Sequence, residues 1–121
     1  MEATVGEFYL LSPPEEVGLQ ELALDTDLAD IFNISPKRQK GVRPAQEMLR
    51  QHRKPIVDKV AYWSGVQRPI VKRLVEIICK RVEELGLRVD VRRESDYLTE
   101  FTVYTTALSM NYLMRGKFIQ P

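Results

Sequence analysis

The most regular pattern in this chain lies at its centre, where Val71, Leu74, Val75, Ile78, Val82 and Leu85 recur at spacings of three and four. That period puts all six on one side of a helix, so the spacing predicts a helix from about Arg68 to Leu85 with Gly86 as its left-handed cap. Just upstream, Ile56, Val57, Val60, Ala61 and Tyr62 follow the same period from Pro55 and stop at Ser64-Gly65. An earlier helical stretch runs from Ala45 to Lys54, with Pro44 suited to the first turn; Pro55 brings no N–H to the preceding turn and should end or kink it.

Beyond Gly86 the period shortens to two. Leu87, Val89 and Val91 alternate with Arg88, Asp90 and Arg92; Arg93-Glu94-Ser95-Asp96 reads as a turn, and Leu98 to Leu108 is rich in Thr, Val, Phe and Tyr. These are the marks of a β-hairpin, with a last strand over residues 112–119. At the other end, Thr4 to Leu11 is a candidate edge strand broken by Ser12-Pro13-Pro14. Ser12 with Glu15 and Glu16 also opens a helix whose stripe is Leu19, Leu22 and Ala23, and Asp27 caps a short turn through Ile31 and Phe32. Asn33 to Pro44, carrying Lys37, Arg38, Lys40 and Arg43, reads as an exposed basic loop. The elements add up to one α+β domain: an acidic N-terminal arm over 1–35 that packs on a core over 36–121, in which a central helical unit precedes a β-hairpin.

Charge sharpens this division. The net charge of +1 conceals a first segment, 1–35, with eight acids and no Lys or Arg, and a second, 36–93, with 16 of the 18 Lys and Arg against six acids. A segment so basic attracts phosphate backbones, the more strongly the lower the salt. The same asymmetry also serves if the acidic arm folds over the basic segment, or if each meets a protein partner of opposite charge.

Within the basic segment, Ala61, Gly65, Val66, Val71 and Leu74 stand in the spacing A-x3-G-V-x4-V-x2-L. A small residue where two helices cross, a glycine at the tight turn and apolar residues locking the second helix are what such a corner requires. The run resembles the helix-turn-helix of bacterial repressors, matching all five positions. The resemblance implies that the start of the second helix reads DNA, through Gln67, Arg68, Lys72 and Arg73, while Arg43, Arg50, Arg53 and Lys54 on the preceding helix hold the backbone. Two subfamilies are similar. A winged helix would place Arg88, Arg92 and Arg93 on the basic limb of a hairpin, but Gly65 to Gly86 is about one turn longer than that family uses. The HU-like group suits the longer helix, yet its glycine-phenylalanine-glycine signature and proline-tipped arm are absent. Pro69 removes one backbone donor from the reading edge, and the five residues equally suit a tight αα-corner that binds nothing.

Other side chains offer little chemistry. Cys79, between Ile78 and Val82, reads as a buried hydrophobe, and Trp63 as a core anchor more than a stacking platform. His52, among Arg50, Arg53 and Lys54, would have only a phosphate to contact. Asp25, Asp27 and Asp30 lack a calcium loop's glycine and glutamate and read as caps and solvated charge. One histidine and one cysteine leave no zinc cluster and no disulfide, and no catalytic motif is present. Nor does any apolar run approach the roughly 18 residues of a membrane span, or the first residues, with Glu2 and Glu7, resemble a signal peptide's basic start. The expectation is an intracellular, cytoplasmic protein that is not an enzyme and carries no cofactor or metal. Its partner would be nucleic acid, duplex DNA in a regulatory role, with a homo-oligomer supplying a second half-site and a protein partner open for the acidic segment. The alternative is a structural or assembly subunit of the phage connector or tail-terminator type, or an adaptor to a larger protein.

Overall fold

The computed structural model describes residues 21–33 and 40–119. In chain order these form α1 (Glu21–Ile31), β1 (Val42–Pro44), α2 (Ala45–Gln51), α3 (Arg53–Ser64), α4 (Arg68–Glu84), β2 (Arg88–Asp90), a 3₁₀ turn (Val91–Arg93) and α5 (Glu94–Ile119). The α+β class holds, with helices dominating and one two-stranded antiparallel pair. The expected Thr4–Leu11 strand and Ser12 helix start lie outside the described residues.

α4 is built as its period predicts. Val71, Leu74, Val75, Ile78, Cys79 and Val82 are all buried. Its end is a Schellman turn: Leu87 N donates to Val82 O at 3.3 Å and Gly86 N to Glu83 O at 3.0 Å, with Gly86 at φ 67°. α3 closes on Gly65, also left-handed at φ 73°, whose N–H reaches Ala61 O. The three residues 65–67 then turn the chain from α3 into α4. Pro55 sits inside the first turn of α3, where its missing N–H has no helical acceptor to lose, so the break falls earlier, at His52, with φ −108° and ψ 23°. Pro44 ends β1 in extended geometry and does not lie inside α2.

The second limb of the expected hairpin is a correction. β2 does follow α4, but its partner is β1, with Val42 opposite Asp90, Arg43 opposite Val89 and Pro44 opposite Arg88. Residues 94–119, expected to hold a turn and two strands, are α5. The buried side chains of this helix, Tyr97, Phe101, Thr102, Thr105, Leu108 and Ser109, repeat at helical spacing. Its hydroxyls bond back to the preceding turn, Thr102 Oγ1 to Leu98 O at 2.7 Å and Ser109 Oγ to Thr105 O at 2.9 Å. Thr102 and Ser109 therefore enter the core with their donors satisfied, whereas the buried Thr105 Oγ1 and Tyr97 hydroxyl find no hydrogen-bond partner among the described residues; packing overrides the strand preference of the β-branched residues.

Residues 24–32 of the acidic segment also differ from expectation. Asp27 lies inside α1 and not at a cap. Leu24, Leu28 and Phe32 are buried, and Phe32 packs against Tyr97 and Phe101 of α5 at ring distances of 5.9 and 6.0 Å. At 34 to 41° between planes these are tilted pairs, a favourable arrangement for aromatic rings. α2 adds Ala45, Met48 and Leu49 to the core, and α3, α4 and α5 add Ile56, Val57, Val60, Leu74, Ile78 and Phe101.

Candidate nucleic-acid interface

The eleven residues nominated from the sequence separate into two sets once their neighbours are known. On β1, not on a helix, Arg43 donates through Nη2 to Gln51 Oε1 at 2.8 Å and to Glu94 Oε2 at 3.1 Å. Arg50 of α2 meets Glu83 at 3.2 Å, and Arg53 at the start of α3 meets Glu76 at 2.6 Å. Lys54 and Arg68 share one carboxylate, Asp58, whose acid is held below its usual range by the Arg68 hydrogen bond first and by that from Lys54 second. The Arg92 guanidinium pairs with Asp90 at 3.0 Å, while Arg93 stands 3.7 Å from Asp96 and 5.2 Å from the centre of the Tyr97 ring. Neither belongs to a hairpin limb. Each of these cations already faces a carboxylate of its own fold.

The second set is Gln67, Lys72, Arg73 and Arg88. Gln67 is the N-cap of α4, and its side chain makes no capping bond. Lys72 and Arg73 are exposed on the outer side of α4 and form no ion pair among the described residues. Arg88 reaches Val42 O at 3.4 Å and no carboxylate among the described residues. Lys80, two turns beyond Arg73 and not nominated from the sequence, is exposed and equally unpaired among them. No acid stands in the first turn of α4, so the positive end of its helix dipole adds to these cations.

The carboxylates that bind the first set were missed, although the Lys54–Asp58 pair has the i, i+4 spacing that betrays it. His52 is likewise corrected: its Nε2 lies 3.0 Å from Glu94 Oε2, so it faces a carboxylate and not a phosphate. Two aromatic residues taken as apolar-face members are at the surface, Tyr62 84% and Trp63 51% exposed. Cys79 is buried as expected, and burial pushes its thiol up to about 11.

Asp25 takes two bonds from Arg81, at 2.7 and 2.5 Å, near the far end of α4. Asp27 accepts from the Tyr104 hydroxyl at 2.9 Å. Both acids were expected to serve as caps or solvated charge. No helix among the described residues is long and apolar enough to cross a membrane. No protein-family model, curated protein or solved structure matches the chain.

Proposed function

We propose that this chain binds nucleic acid, duplex DNA in a regulatory role, through the outer face of α4. The observation that carries this reading is the contrast just described: Gln67, Lys72 and Arg73 stay exposed, and Lys72 and Arg73 unpaired among the described residues, at the end of α4 that follows the Gly65 turn. Lys72 and Arg73 are suited to phosphates, and Arg73 and Gln67 to base edges in a major groove. Arg68, bound to Asp58, is a hinge between the two sets: it can contact a phosphate only by exchanging its carboxylate. The test is fluorescence anisotropy of a labelled duplex at about 50 and 200 mM salt. Binding that weakens steeply with salt and falls in Arg68→Ala/Arg73→Ala supports the reading; unchanged affinity in that variant sinks it.

A second reading, a self-assembling structural subunit, is favoured by one observation. Val103, Ala107 and Met110 form an exposed stripe at i, i+4 and i+7 on α5. If that stripe joins copies into a ring or connector, sedimentation would find a discrete oligomer that Val103→Glu dissolves.

A further inference from the structure

Between α3 and the start of α5 runs a groove of about 250 Å³ that the α4 surface does not include. Its walls carry Trp63 and Lys59 from α3 and Ser95 and Thr99 from α5, over a floor that includes Ile56 and Leu98. Lys59 and Trp63 are one helical turn apart and so lie on the same side of α3. Lys59 is exposed and without an ion pair among the described residues. No carboxylate lines the groove. Glu94, next to Ser95 in the chain, is occupied by Arg43 and His52.

These features describe a slot with an indole face on one side, hydroxyls on the other and a cation at its rim. Thr99 Oγ1 donates to Ser95 O at 3.0 Å, which leaves its oxygen free to accept. A flat, polar-edged ring with an anionic linker has the matching chemistry. We infer that this groove takes an unpaired nucleobase of a single strand, stacked on Trp63 with its phosphate on Lys59. A base inside a duplex is already stacked and cannot enter. Trp63 stands just before the Gly65 turn that leads to Gln67, so the single-strand slot adjoins the duplex surface along the chain. The inference rests on the reading of the protein as a nucleic-acid binder, and adds a second class of substrate to it. Base-on-aromatic stacking tolerates any sequence, since every base has a π-face.

Trp63 is the single tryptophan of the chain, so its emission reports on this groove alone. The experiment titrates the full chain with unlabelled oligothymidylate of about 12 nucleotides, a length within the usual single-strand site size. Saturable quenching is expected. Trp63→Ala and Trp63→Phe remove that reporter and are read by anisotropy of an end-labelled oligothymidylate: Trp63→Ala should weaken binding about tenfold or more while Trp63→Phe keeps most of it, both with duplex affinity and circular dichroism unchanged. Lys59→Gln should lower the salt slope by about one phosphate. Equal quenching by an abasic oligonucleotide of the same length would overturn the stacking. So would a shift of Trp63 emission with protein concentration alone, which would give the groove to a second copy. If Arg68→Ala/Arg73→Ala loses duplex while Trp63→Ala leaves oligothymidylate binding intact, this inference fails and the α4 reading stands. Quenching by oligothymidylate without any duplex binding gives the opposite result.

Discussion

The arginines of β1, α2 and α3 and the cations on the outer face of α4 belong to the same basic segment, yet the fold uses them in opposite ways. Arg43, Arg50 and Arg53 each meet a carboxylate from a distant part of the chain, Glu94, Glu83 and Glu76. Lys72, Arg73 and Lys80 meet none among the described residues. Two of those three carboxylates, Glu76 and Glu83, sit on α4 itself, so the helix turns these two acids toward α3 and α2 and leaves Lys72, Arg73 and Lys80 toward solvent. A charge count along the sequence cannot separate the two groups. What separates them is which carboxylate the fold places opposite each guanidinium, and a paired charge projects far less field to a ligand than a lone one.

The contrast breaks most visibly if the unpaired set is removed. Lys72→Ala/Arg73→Ala should cost roughly tenfold to a hundredfold in duplex affinity, the range of one or two specific contacts, with the denaturant midpoint unmoved. Equal loss of stability and affinity would erase the distinction. Arg43→Ala should do the reverse. Its side chain is 26% exposed and bonded to both Gln51 and Glu94, so urea unfolding should report a loss of about 1–3 kcal/mol and duplex binding should hold.

A smaller effect tests the acidic arm against the same background. The Arg81 hydrogen bonds hold the Asp25 carboxyl below its ordinary value. A depressed carboxylate lends stability that is complete above its unfolded pKa of about 3.9 and is lost as pH falls through the lower folded value. Asp25→Asn should therefore cost about 1 kcal/mol at neutral pH, and the penalty should shrink as an acid titration of the parent passes below about pH 4. A penalty that grew on acidification would contradict the pairing. Least of all should be Arg50→Ala, whose pair with Glu83 is half exposed; thermal melts should move by no more than the equivalent of about 0.5 kcal/mol.

How much of this was legible follows from where the physics was local. α4 and its Schellman end could be read directly, because an apolar stripe at helical spacing followed by glycine needs no knowledge of the rest of the fold. The same holds for Ala61 and Gly65 at the turn. α5 could not, since Thr99, Thr102, Val103, Thr105 and Thr106 have strand preference, and only the burial of Tyr97, Phe101 and Leu108 against α1 and α3 selects the helix. The strand Val42–Pro44 was hidden for a related reason: three residues carry no period, and their partner lies across the whole helical unit. For the site, residue types were legible and their availability was not. Arg53 and Arg73 look alike in sequence, and Tyr62 and Trp63 continue an apolar run although they end at the surface.

The pairing of β1 with β2 also fixes how the helical corner is tethered. Val91 N donates to Gly41 O and Ala45 N to Leu87 O, both at 2.9 Å, so the short ladder is locked at either end by a further bond. The chain leaves this clasp into α2, runs through both helices of the corner and returns to it after α4. The corner is thus a closed lobe, whose closure costs entropy once and only weakly with its length. A load applied to the outside of α4 passes to the clasp and not to a free end, so a ligand seated there would press on a lobe held shut at its base.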